Sequence, residues 1–266
     1  MNKKIVVGNF KMNLSIHSAS ILLANLNKHI AYHRNMDIIL APGYLCIAPL
    51  SLEINKRKFK LGSQDGYFID QGSFTGQVSF SQLRGLVDYA IIGHSERRIN
   101  FNDNLVTVRK KVAAAIRNNI KVILAVGETT HERNAHETKQ VLHDQIVTAL
   151  ADLTPDQVME SVYIAYEPVW AIGGHQPASN KDIESALSWC KAQIKDLYGN
   201  QAMDRVAMLY GGSIEVDNVK TIMQIPNLDG LLVGHASLNY LEFSNIVNQV
   251  FNQSIQDKNN SLETIT

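Results

Sequence analysis

Short, unbroken apolar runs recur along the chain: Ile5-Val6-Val7, Ile38-Ile39-Leu40, Ala90-Ile91-Ile92, Val122-Ile123-Leu124, Val162-Tyr163-Ile164-Ala165, Val206-Ala207-Met208-Leu209 and Leu231-Leu232-Val233. An eighth and weaker run is Lys60-Leu61-Gly62-Ser63. Continuous rather than alternating apolar character marks parallel strands that are covered on their faces. Most intervals carry a helical period. Leu105 to Arg117 sets Val108, Val112, Ala115 and Ile116 on one face, and Asp182 to Leu197 aligns Ile183, Ala186, Leu187, Cys190 and Ile194. Strand and helix units repeated through 266 residues predict an α/β fold, a single (β/α)8 barrel over residues 1–253. A doubly wound open sheet is the alternative. The last stretch, 254–266 (SIQDKNNSLETIT), is mostly polar and is predicted to be a loosely held tail.

The polar residues sharpen this picture, because they gather at the same ends of different strands. Asn9 and Lys11 follow the first run, His94 and Glu96 the fourth, Gly127-Glu128 the fifth, and Glu167 ends the sixth. Tyr210-Gly211-Gly212-Ser213 follows the seventh and Gly234-His235 the eighth. In a barrel all of these project at the C-terminal rim, where barrel active sites lie. A lone lysine, histidine or Glu-Pro pair has an ordinary structural explanation, but their convergence on one rim does not. Paired glycine sites after the last two strands let backbone N–H groups approach an anion, which suits a phosphorylated small molecule. His131 and His136 are five residues apart and cannot share a helix face as zinc ligands do, so no metal site is expected there. No GxGxxG follows a strand, so no dinucleotide site is expected.

Composition narrows the function classes. With 45% hydrophobic and 19% charged residues the chain can bury a large core. Its 25 basic and 25 acidic residues cancel, so no nucleic-acid or membrane surface is expected. Cys46 and Cys190 form no CxxC pattern, which points to a reducing cytosol rather than a disulfide framework. The opening MNKKIVVGNF has too short an apolar stretch for a signal peptide or a membrane span.

Seven motifs, NFKMN (9–13), GSFTGQVS (72–79), IIGHSERR (91–98), VGET (126–129), AYEPVWAIG (165–173), YGGS (210–213) and DGLLVGHASL (229–238), are collinear and together resemble the triosephosphate isomerase family. The resemblance implies cytoplasmic interconversion of dihydroxyacetone phosphate and D-glyceraldehyde 3-phosphate, in glycolysis and gluconeogenesis, without metal or cofactor. It implies Glu167 as the proton acceptor, His94 as a neutral electrophile at a helix start, Lys11 as the oxyanion's cation and Glu96 as a supporting acid. It assigns Asn9, Lys11, Gly173, Ser213, Gly234 and His235 to substrate binding. It also implies a homodimer built through the loop Gly72–Ser79. The competing classes are another phosphosugar barrel enzyme and an idle barrel acting as a binding protein. The first lacks the Glu167-Pro168 sequence, and the second would be expected to have lost Lys11, His94 or Glu167.

Several positions depart from the family pattern. Phe10 stands for a common Trp, Ala125 for Cys and His235 for Gly. A histidine ring at 235 can add positive charge beside the phosphate when protonated. Asp65 stands for Asn, Gln77 for Glu and Asp103 for Glu, all three toward the expected dimer interface. In VYIAYEPVWAIGGHQPA, Pro168 and Trp170 read as a hinge, and Ala171-Ile172-Gly173 as an apolar lid tip that excludes water on closing. The segment then continues Gly174-His175-Gln176-Pro177-Ala178, where the family has Thr-Gly-Lys and a small pair. Proline in this second hinge fixes φ and removes an N–H donor. Pro177→Thr is therefore expected to change the lid exchange rate, read by NMR relaxation dispersion, with the chemical step intact; an unchanged exchange rate and kcat would remove Pro177 from the hinge.

Overall fold

The computed structural model describes residues 3–172 and 177–263, with side chains through residue 255. Eight parallel strands lie in sequence order around a closed barrel: β1 (Lys4–Asn9), β2 (Met36–Ala41), β3 (Lys60–Ser63), β4 (Tyr89–Ile92), β5 (Lys121–Val126), β6 (Val162–Tyr166), β7 (Ala207–Tyr210) and β8 (Gly230–Val233). Pairing of Val6 with Leu231 and of Val7 with Leu232 joins β1 to β8. That closure rules out the open sheet.

The two faces of each strand explain the continuous apolar runs. Ile5, Val7, Ile39, Tyr89, Ile91, Ile123, Ala165, Leu209 and Leu232 pack into a core inside the barrel. Their strand neighbours, including Val6, Ile38, Leu40, Ile92, Val122, Leu124, Ile164 and Met208, join a second core under the surrounding helices. Both faces are dry, so the polar half of an alternating pattern never appears. Gly230 is required where the ring closes: a Cβ there would lie 2.0 Å from the Ile5 carbonyl oxygen.

The predicted helices form at Leu105–Arg117 and Asn180–Tyr198. The second buries all five residues of its predicted face. The first buries Val108, Val112 and Ala115, while Ile116 is only half-buried and Lys111 is buried in its place. Thr129 caps a single helical turn, Thr130–Asn134, and His136 lies beyond it with φ 61°. His131 and His136 therefore share no helix face, and no metal-binding group of side chains occurs among the described residues. The last helix, Tyr240–Glu263, extends past residue 253 into the segment predicted as a tail.

Lys111 is buried because two acids await it. Its ammonium donates to both Asp65 carboxylate oxygens at 2.9 and 2.8 Å and to Asp103 Oδ2 at 2.6 Å. Arg97 Nε lies 3.0 Å from each of the same two carboxylates. Burial pushes the Asp65 carboxyl up from its ordinary value, and Lys111 opposes that shift. Of the three departures expected near a dimer interface, Asp65 and Asp103 are thus buried within the subunit, while Gln77 is exposed. Removing one partner of a buried ionic cluster strands the others, so Lys111→Met is expected to cost about 3–5 kcal/mol in denaturant unfolding. A loss below about 1 kcal/mol would show that the two acids find water instead.

Candidate active site

The C-terminal ends of the strands bring the predicted chemistry together. Two residues after β1, Lys11 takes φ 49°, a left-handed conformation that a lysine adopts only when its neighbours hold it. Asn9 Oδ1 accepts the Lys11 N–H at 3.0 Å, and the Gln64 side-chain amide donates to the Lys11 carbonyl at 2.8 Å and to the Ala41 carbonyl at 2.9 Å. The Lys11 ammonium then lies 2.6 Å from Glu96 Oε1. Asn9 thus acts partly through the backbone, and Glu96 holds Lys11 directly.

His94 follows β4 as the N-cap of the short helix Ser95–Asn100. Its Nδ1 accepts the Glu96 N–H at 3.2 Å, so the ring proton sits on Nε2 and the imidazole is neutral in this arrangement. Nε2 lies 3.3 Å from Glu167 Oε1.

Glu167 directly follows β6 and is 2% exposed. Its Oε2 accepts the Ser95 N–H at 3.3 Å. Burial pushes the carboxyl up from its ordinary value; His94, the Ser95 N–H and Lys11 pull in the other direction without cancelling the shift. Two glycines make room. A Cβ on Gly127 would fall 1.9 Å from the Glu167 carbonyl oxygen, and one on Gly211 would fall 2.8 Å from Glu167 Cγ.

The segment after Glu167 is anchored from beneath. Glu128 is fully buried and accepts from the Tyr166 hydroxyl at 3.1 Å and from the Trp170 indole N–H at 2.8 Å. The Arg133 guanidinium lies 3.9 Å from the centroid of the Trp170 ring and donates to Asp182 at 3.0 Å. The Ser213 hydroxyl donates to the Ala171 carbonyl at 2.9 Å, tying the glycine-rich loop after β7 to the segment after Glu167. Gly212 must lack a side chain, because a Cβ would meet the Tyr210 hydroxyl at 2.1 Å.

Asn9, Lys11, His94, Glu96, Glu167, Ser213, Gly234 and His235 all line one cleft of about 770 Å³. Gly173, the remaining predicted binding residue, lies outside the described residues with Gly174, His175 and Gln176. The sequence reading missed Gln64, the Ser95 N–H and the clearance at Gly211. It noted the position of Glu128 without a role. A carboxylate directly after a strand-ending glycine, with a Trp two residues past Glu-Pro, was the available signal for that anchor.

A closed β/α barrel whose rim brings a buried carboxylate, a neutral imidazole and an ammonium to one cleft defines an enzyme of proton transfer on an anionic small molecule. A sequence model described as triosephosphate isomerase matches residues 4–250. The chain is 37% identical over 249 residues to the triosephosphate isomerase of Clostridium botulinum (strain Okra / Type B1), covering 93% of this chain and 100% of the relative. It is 38% identical over 251 residues to that of Thermodesulfovibrio yellowstonii, covering 93% and 99%. To that of Chloroherpeton thalassium it is 36% identical over 249 residues, covering 93% and 98%. The chain belongs to the triosephosphate isomerase family.

Trp170→Phe keeps an aromatic ring under Arg133 but removes a donor from the buried Glu128. It is expected to cost about 1–3 kcal/mol of stability in denaturant unfolding. A change below about 0.5 kcal/mol would show that the indole bond is not an anchor.

Proposed function

We propose that the chain interconverts dihydroxyacetone phosphate and D-glyceraldehyde 3-phosphate through an enediolate. The observation that carries this reading is the meeting of Glu167, His94 and Lys11 in one cleft at the barrel rim. The reaction moves a proton between adjacent carbons, which a carboxylate can shuttle alone, so it calls for neither metal nor cofactor. Glu167 removes the proton from one carbon and returns it to the next. Negative charge that develops on the substrate oxygens meets the His94 Nε2–H and the Lys11 ammonium. The Nε2–H now faces Glu167 Oε1. A substrate oxygen must take that place, which frees the carboxylate to turn toward carbon. Asn9 and Glu96 keep Lys11 in position, and Ser213, Gly234 and His235, with Gly173 from the lid, receive the phosphate. An apolar lid tip excludes water and strengthens each of these interactions.

The same reading carries a homodimer built through the loop Gly72–Ser79. Support comes from exposed apolar side chains on this loop and on segments that flank the active site: Met12 is 99% exposed, Leu45 82% and Phe101 62%, with Ile99 and Phe74 also exposed. Soluble surfaces rarely leave so much apolar area uncovered without a partner. A cytoplasmic location fits a chain in which no described helix is long and apolar enough to cross a membrane.

A coupled assay with glyceraldehyde 3-phosphate tests the reading. Turnover is expected in the unaltered protein, and Glu167→Gln should lower kcat by about 10²–10⁴-fold. His94→Gln should lower it by about 10²–10³-fold. Because burial raises the Glu167 carboxyl, the acid limb of kcat/KM should lie above the ordinary carboxylate range. The same shift sets the sign for stability. The folded chain holds this proton more tightly than the unfolded one, so stability is lost as pH rises from the unfolded value through the raised folded one. Glu167→Gln, which cannot ionise, should therefore be more stable than the parent at neutral pH while almost inactive. Absent turnover in the parent, or full activity in either variant, overturns the assignment.

A further inference from the structure

At the opposite end of the barrel from the active site, around the first residues of β1, β2 and β3, lies a second cleft of about 680 Å³. Its walls carry six cations, Lys3, Arg34, Lys56, Arg57, Lys58 and Lys60, against one acid, Asp37. This excess stands in a chain whose total charge is zero. Asp37 is already taken, since Lys3 binds it at 3.2 Å. The Lys58 ammonium is fixed on the Asn27 carbonyl at 2.7 Å and meets no counter-charge there. Among the described residues, Arg34, Lys56, Arg57 and Lys60 make no ion pair.

The backbone holds this concentration of charge in place. Asn55 Oδ1 accepts the Arg57 N–H at 3.1 Å, and the Asn55 carbonyl accepts the N–H groups of Lys58 and Phe59 at 2.9 and 3.0 Å. This tight turn carries the cations at 56–58 and feeds directly into β3. Like charges held so closely repel one another, a cost that a multivalent anion would remove. A single phosphate would leave most of them uncompensated. The wall also includes Tyr32, whose side chain is 59% exposed and offers an aromatic face beside the cations.

We propose that this cleft binds a small molecule carrying two or more linked phosphates, at a site separate from the active site. The concave shape and a volume within the usual range of small-molecule pockets, about 300–1,000 Å³, favour a compact ligand over an extended polymer. Arginine and lysine from segments around residues 3, 34 and 56–60 surround it, which suits a branched or chain-like polyanion. Tyr32 is placed to stack on a base if the phosphates come from a nucleotide.

Calorimetric titration of the full chain with sodium tripolyphosphate, and in parallel with ATP, tests the site at low and physiological salt. Tripolyphosphate is expected to bind more tightly than about 1 mM at low salt and to weaken as salt is added. The exposed-residue triple variant Arg34→Gln, Lys56→Gln, Arg57→Gln should weaken that binding by at least about tenfold while circular dichroism and isomerase activity stay at parent values. Lys11→Gln should leave it unchanged. Tighter binding of ATP than of tripolyphosphate, abolished by Tyr32→Ala, would identify the source as a nucleotide; equal affinities would identify the phosphate chain alone. The proposal is overturned if neither probe binds by about 1 mM at low salt. It is equally overturned if affinity is lost with Lys11→Gln rather than with the triple variant.

Discussion

The structure turns on a carboxylate kept where water scarcely reaches it. Glu167 is 2% exposed, and burial alone would favour its protonated form. Its surroundings temper that cost without removing it. The Ser95 N–H donates to one of its oxygens, His94 Nε2 lies 3.3 Å from the other, and Lys11 adds a more distant positive charge. A carboxylate in such a place binds a proton more tightly than an exposed one does. The glycines at 127 and 211 follow from the same demand, since any side chain there would displace the glutamate.

That demand reaches into the segment that follows Glu167. The backbone that delivers Glu167 continues through Pro168 to Trp170, and Trp170 is bonded to the fully buried Glu128. Glu128 stands beside Gly127, against whose Cα the Glu167 carbonyl closes. The loop after β5 therefore contacts both Glu167 and Trp170 in the segment that follows it. A second link runs from the loop after β7, where Ser213 holds the Ala171 carbonyl. These contacts join Glu167, the first residues of the segment that follows it and the glycine-rich loop after β7.

Much of this was legible in the sequence for physical reasons. Parallel strands covered on both faces write themselves as unbroken Ile-Val-Leu runs, and a barrel rim collects polar residues at their ends. Lys11, His94, Glu96 and Glu167 could be found because they sit next to such runs. Gln64 could not, because its work is on the Lys11 backbone and no side-chain chemistry advertises it. Lys111 was read past for a similar reason: a charged residue inside an apolar helical period looks solvent-facing until Asp65 and Asp103 arrive from distant segments. The polar composition after Ser254 suggested a loose tail, and the last helix extends through that stretch to Glu263.

The weakest strand by sequence, β3, is the one that organises the rim. Two adjacent residues beyond its end do different work on the two neighbouring parts of the site. Gln64 fixes the strained backbone of Lys11. Asp65 binds Arg97, which lies on the same short helix that His94 caps and that carries Glu96. Asp103 binds the same Arg97 Nε, and buried Lys111 locks both acids together. A six-residue helix has too few internal hydrogen bonds to hold its own direction. Arg97 ties it to this ionic cluster, and Arg98 ties it to the Gly93 and Ala125 carbonyls. The Asp residues at 65 and 103 thus tie the loop after β3 to the short helix that presents His94 and Glu96 to the cleft.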